Sequence, residues 1–216
     1  MMRLLPRLSF SGLPPKPIVG FSDLTALHLV LQREGWISFH GPVVTQLGRQ
    51  TGETVDRLFR LLESSEAPPS MTGGSALVPG QAEGPLIGGN LSVLTRLLGT
   101  PYLPSLKGAV LLLEDVGERP YRLDRMWTHL QLAGVFEQVA GIALGDFSVC
   151  EEKDASYTSV DVLRSLAEET RLPCAVGFPI GHDDTNVAVP LGVRVRLDAT
   201  RGSLEFLEPA TATETN

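Results

Sequence analysis

Four histidines are the only imidazoles available for general-base chemistry in this chain of 216 residues: His28, His40, His129 and His182. His28 falls on the apolar face of a helix pattern, which is the place of a satisfied core histidine. His40 ends a strand pattern beside Gly41-Pro42, close enough to a site to be considered, with a turn role as the simpler reading. His129 sits in mid-helix between Trp127 and Leu130. His182 differs, because it lies in the polar loop Gly181-His182-Asp183-Asp184-Thr185-Asn186, which leaves an apolar strand and is free to reach a cleft; the alternative is a solvated loop residue.

A nucleophile candidate stands far upstream of that loop. Ser22 follows the apolar run Ile18-Val19-Gly20-Phe21 and precedes a helix pattern. A turn from strand to helix lifts a hydroxyl clear of the sheet, and the helix N-terminus supplies free N–H groups and partial positive charge. The backbone N–H of Asp23 is then placed to meet a developing oxyanion. The segment reads Gly-x-Ser-Asp, not the Gly-x-Ser-x-Gly of α/β-hydrolases, and the competing reading is a helix cap by Ser22 or Asp23. Glu114 closes the run Val110-Leu111-Leu112-Leu113. A carboxylate at the end of a buried strand needs a partner, and an imidazole is one it can orient. Asp115 and Glu118 compete with it on spacing, and a cap or an ion pair in the acidic turn is the plainer role.

The elements that position these residues can be read from periodicity. Helices are predicted over 24–32 (stripe Leu24, Leu27, His28, Leu31), 51–63 (stripe Val55, Leu58, Phe59, Leu62), 91–98, 121–132 and 160–168. Strands are predicted over 18–21, 36–40, 108–114, 139–147 and 174–178. Short alternating stretches at 187–189, 193–197 and 203–207 point to antiparallel β-structure at the end, and the residues from Pro209 are expected to fray. Alternating strands and helices define an α/β class. The Pro- and Gly-rich stretch 64–85 is the best domain boundary, with room for short strands inside it. The division is 1–63, a linker 64–85, and 86–216.

Composition excludes several classes. The net charge of -7 and the absence of a Lys/Arg run argue against a nucleic-acid partner. No apolar stretch reaches the ~18 residues of a membrane span, and Pro6 and Arg7 interrupt any signal-peptide core. Cys150 and Cys174 have no metal-ligand spacing and read as buried thiols in a reducing cytosol. No cofactor motif is present.

Taken together, the segments resemble the LD-carboxypeptidase (muramoyltetrapeptide carboxypeptidase) family of serine peptidases. The resemblance rests on Gly20-Phe21-Ser22-Asp23-Leu24-Thr25-Ala26, Phe39-His40-Gly41-Pro42, Pro85-Leu86-Ile87-Gly88-Gly89-Asn90-Leu91, Leu113-Glu114-Asp115-Val116, Leu144-Gly145-Asp146-Phe147, Gly177-Phe178-Pro179-Ile180-Gly181-His182 and Pro190-Leu191-Gly192. It implies Ser22 as nucleophile, Glu114 as acid and His182 as base, with Gly89 and Asn90 supporting the substrate pocket. It implies a partial α/β nucleophile domain followed by a β-rich α/β carboxyl-terminal domain, often as a homodimer, needing neither metal nor cofactor. The implied reaction is hydrolysis of the L,D-amide of a cytoplasmic murein tetrapeptide, releasing D-alanine during cell-wall recycling. A related branch degrades a peptide-nucleotide antibiotic, and an inactive muropeptide-binding relative is the third expectation. The family carries further chain ahead of the position of Arg3, including a glycine-tyrosine-glycine segment thought to give a second oxyanion donor. The sequence as written starts past it, as a fragment or a short relative would, and is expected to be a poor enzyme with a sticky amino-terminal region.

Overall fold

The computed structural model describes residues 1–211, so the expected fraying lies outside the described residues for 212–216. Up to that point the end is docked: Ala210 is buried and the Thr211 hydroxyl donates to the Ser64 carbonyl. After a 3-10 segment, Met2–Arg7, the chain runs β1 (Val19–Gly20), a 3-10 turn Ser22–Leu24, α1 (Thr25–Arg33), β2 (Ser38–His40), α2 (Val44–Leu47) and α3 (Gly52–Glu63). β3 (Met71–Thr72), β4 (Ser75–Val78), β5 (Gln81–Asn90), α4 (Leu91–Thr95), β6 (Val110–Val116), α5 (Pro120–Leu132) and β7 (Gly141–Ser148) follow. α6 (Ser159–Thr170), β8 (Cys174–Val176), β9 (Val189–Leu191), β10 (Arg194–Asp198) and β11 (Ser203–Phe206) complete an α/β fold.

Two sheets organise it. The larger has the order β3-β11-β10-β5-β6-β7-β8-β4. Its centre, β5-β6-β7-β8, is parallel, and its flanks are antiparallel. The apolar run of β6 is continuous because both faces of this centre are covered. Side chains alternate along the strand, so Leu111 and Leu113 enter one core with Leu94, Leu123, Trp127 and Leu163 of the helices. Val110 and Leu112 enter a second core with Phe39, Phe178, Val195 and Leu197. The second core joins the large sheet to the small one, β1-β2-β9, in which β2 pairs in parallel with β1 and antiparallel with β9.

Several expectations need correction. Residues 64–85 hold β3, β4 and the first half of β5, all strands of the large sheet. β5 is hidden in the sequence because it runs through Gly84-Pro85 and Gly88-Gly89. Gly88 has φ +139, and a Cβ there would lie 2.0 Å from the Leu112 carbonyl oxygen of β6. Its glycine marks a close approach between strands, not a turn. The stripe expected on α3 is rotated: Leu58 and Leu61 are buried, whereas Phe59 is exposed. α1 is buried on most of its circumference, with Ala26, Leu29 and Val30 inside as well as His28 and Leu31. Cys150 and Cys174 are free and buried, as their pattern predicts. Among the described residues no helix is long and apolar enough to cross a membrane.

Candidate active site

β1 ends at Gly20, Phe21 is still extended, and Ser22 then turns to φ +59. A non-glycine residue in that region carries backbone strain on the order of 1–3 kcal/mol, which persists only where the surroundings impose it. The capping role does not hold: neither the turn Ser22–Leu24 nor α1 begins with a side-chain cap hydrogen bond. Among the described residues the Asp23 N–H donates to no backbone carbonyl. The nucleophile candidate thus presents a hydroxyl not used for capping, followed by an open N–H.

His28 secures this turn from beneath. Its Nε2–H donates to the Gly20 carbonyl at 2.9 Å, which leaves Nδ1 to accept from the Ser38 hydroxyl at 2.9 Å. Burial pushes its pKa down to about 4, against the opposing pull of the Gly20 carbonyl, so it stays neutral near pH 7. One imidazole ties β1, α1 and β2 together two residues before Ser22.

Glu114 stands at the register position opposite Asn90, where β6 leaves the core, and its side chain is fully buried. The His182 Nδ1–H donates to Glu114 Oε2 at 2.7 Å. That bond fixes the tautomer and leaves His182 Nε2 as the basic nitrogen. Burial alone would raise the Glu114 pKa. The hydrogen bond from His182 and the nearby His40 outweigh it and hold the carboxyl below the usual glutamate range. Gly181, at φ +142, makes room for this pair, since a Cβ there would lie 2.9 Å from Glu114 Oε2. The loop itself is pinned. Asn186 Oδ1 accepts from the Gly181 N–H, its own N–H donates to Gln50 Oε1, and Gln50 Nε2 donates to the Asp184 carbonyl.

Phe21 brings the upstream and downstream halves together. Its ring centroid lies 4.6 Å from that of His182 and 6.1 Å from that of His40. The structure therefore places Ser22 one residue from an aromatic side chain that packs on the base candidate. The rivals of Glu114 are occupied elsewhere. Asp115 accepts from Asn90 Nδ2 at 3.0 Å, from the Ser92 N–H at 2.9 Å and from the Val116 N–H, and Glu118 accepts from Arg122 and from the Ser92 hydroxyl. Asn90 caps α4 by accepting from the Val93 N–H, and its own N–H donates to Thr25 Oγ1. Gly89 faces the same threonine. Both residues thus link α1 to β5 and β6 beside the site.

Two residues gain a place that the sequence pattern alone did not give them. His40 is completely buried, with Nε2 3.6 Å from Glu114 Oε1, an electrostatic contact rather than a hydrogen bond. Its signal was a polar residue at the end of a short apolar strand. Asp146 follows β7's buried stretch, and its pKa is pushed up to about 7 by burial and by the charges of Asp183 and Glu114.

The chain matches the LD-carboxypeptidase N-terminal domain over residues 1–41 and the LD-carboxypeptidase C-terminal domain over residues 83–197. The chain belongs to the LD-carboxypeptidase family. The murein tetrapeptide carboxypeptidase of Pseudomonas aeruginosa is 34% identical over 216 residues, covering 92% of this chain and 69% of that protein. A Synechocystis sp. relative is 40% identical over 195 residues, 89% of this chain, and the chain spans only 64% of that protein's length. The crystal structure of muramoyltetrapeptide carboxypeptidase from Oxalobacter formigenes superposes with a TM-score of 0.84 at 31% identity, over 94% of this chain and 73% of that one. The microcin C7 self-immunity protein MccF of Escherichia coli is 26% identical over 98% of this chain and 72% of its own length.

Proposed function

We propose that this chain is a serine-type LD-carboxypeptidase, with Ser22 as nucleophile, His182 as base and Glu114 as the acid that orients it. The observation that carries the reading is the buried Glu114–His182 hydrogen bond packed through Phe21 beside a strained, uncapped Ser22. In this mechanism His182 Nε2 takes the Ser22 proton as Oγ attacks the amide carbonyl. Glu114 stabilises the imidazolium, and the Asp23 N–H receives the oxyanion. Collapse of the tetrahedral species expels the D-amino acid, whose nitrogen takes the proton from His182. Water, activated by the same imidazole, then hydrolyses the acyl-enzyme. The relatives named for murein tetrapeptide support that substrate, with release of the terminal D-alanine. The reading sets the reaction in the cytoplasm, in a homodimer, without metal or cofactor, and gives Gly89 and Asn90 a supporting role at the pocket wall.

The test is release of D-alanine from an L,D-tetrapeptide. Ser22→Ala and His182→Ala are each expected to lower kcat by a factor on the order of 10⁴–10⁶, and the double variant by no more than either alone. Glu114→Ala costs somewhat less. Independent, multiplying losses would exclude the triad. The similarity to MccF supports a second substrate class, the peptide-nucleotide antibiotic, and offering both substrates separates the two. A chain that binds muropeptide without reacting with a fluorophosphonate would be a binding module instead.

A further inference from the structure

Resting on that reading of the triad, we infer that His40 is a positioning residue that holds the second oxygen of Glu114 while His182 holds the first. The carboxylate has two oxygens, and only Oε2 is hydrogen-bonded. Oε1 is buried with no partner, a costly arrangement for a charged group. Beside it stands His40, fully buried, whose two ring nitrogens also lack partners among the described residues. Two unsatisfied atoms, Glu114 Oε1 and His40 Nε2, thus face each other across 3.6 Å. A shift of roughly half an ångström would turn the contact into a normal hydrogen bond.

The chemistry fixes the direction. A carboxylate only accepts, so Nε2 carries the proton and Nδ1 keeps the lone pair. A second donor on Glu114 has a specific effect. It fixes the carboxylate plane, so that Oε2 points along the Nδ1–H bond of His182, and it keeps the buried group ionised when the imidazolium forms. The backbone is built to hold this geometry. His40 pairs with Gly20 of β1 on one side and Val189 of β9 on the other, between the strand leading to Ser22 and the strand following the His182 loop. His40 touches neither Ser22 nor the substrate in this account, and it acts through Glu114.

The test compares His40→Met with His40→Gln in the full chain. Methionine fills the space without a donor, and the glutamine amide reaches the position of Nε2. His40→Met is expected to lower kcat about 10- to 100-fold with KM little changed, as loss of one hydrogen bond to a charged group would. His40→Gln recovers most of that loss. Fluorophosphonate labelling of Ser22 should follow the same order, because it reads nucleophile activation without any peptide. Equal labelling and turnover in wild type and His40→Met would overturn the inference. So would equal impairment of the Met and Gln variants, which would make His40 a packing residue. If His40→Met does not fold, His40→Gln is set against His40→Asn, whose amide reaches only the Nδ1 position, and equal rates for these two overturn the inference. Labelling that obeys this order while the tetrapeptide stays intact would keep the role of His40 and remove the substrate.

Discussion

At the level of single residues, the site is a set of polar groups whose burial is either answered or not. Glu114 Oε2 is answered by His182, and His28 by Gly20 and Ser38, whereas Glu114 Oε1 has no hydrogen bond. Asp146 is not: its Oδ2 is buried without a partner and it faces two other carboxylates, those of Asp183 and Glu114. Its pKa, up from 3.8 to about 7, makes it a liability at high pH. The folded state holds this proton where the unfolded chain has released it, so the stabilising contribution is full below pH 3.8 and is lost as pH rises through about 7. Asp146→Asn should therefore melt above the wild type at pH 8, with the gap narrowing towards pH 5. An unchanged gap across that range would mean that Asp146 is ionised throughout. The residue types of the site were legible in the sequence: a serine at a strand-to-helix turn, a glutamate closing an apolar run, a histidine on a polar loop. The proximity of His40 to Glu114 was not, because it depends on where β2 sits between β1 and β9, pairings that no local pattern encodes.

The elements show where periodicity speaks and where it is silent. β6, β7, α5 and α6 announced themselves because burial on both faces, or on one helical stripe, leaves an apolar rhythm. β5 did not, since its glycines imitate a turn while serving to bring two backbones together. The distinction is measurable. Gly88→Ala would drive a Cβ to 2.0 Å from the Leu112 carbonyl in a backbone conformation that alanine resists, and should cost more than about 3 kcal/mol in urea unfolding. Gly48→Ala, at the end of α2 with open space around it and an ordinary right-handed backbone, should change stability by less than about 1 kcal/mol. Similar costs at both positions would show that the β5–β6 approach is looser than it looks. α3 teaches a related point: its amphipathic pattern was right in period and wrong in phase. The stripe follows Leu58 and Leu61, and Phe59 is left beside a surface groove with Val44 and Leu62.

Across the whole molecule, the two cores lie on opposite faces of the same central strands, β5 to β8, and draw on different parts of the chain. The first is built by helices and central strands close in sequence; the second needs Phe39 from the front of the chain and Val189, Val195 and Leu197 from the back. Trp127, fully buried in the first core, reports on it once the other tryptophan, Trp36, is replaced by Phe. On refolding from denaturant, Trp127 burial should precede recovery of fluorophosphonate labelling at Ser22, since contacts distant in sequence close late and chains of this size commonly pass through intermediates. Simultaneous recovery would indicate one cooperative unit. The small sheet carries this further. β2 is flanked by β1 and β9, and β9 lies beyond the His182 loop. A chain leaving the ribosome exposes Ser22 well before β9, which pairs with β2, and before the loop that carries His182. Under the proposed triad, Ser22 therefore has no base beside it until that loop has been made.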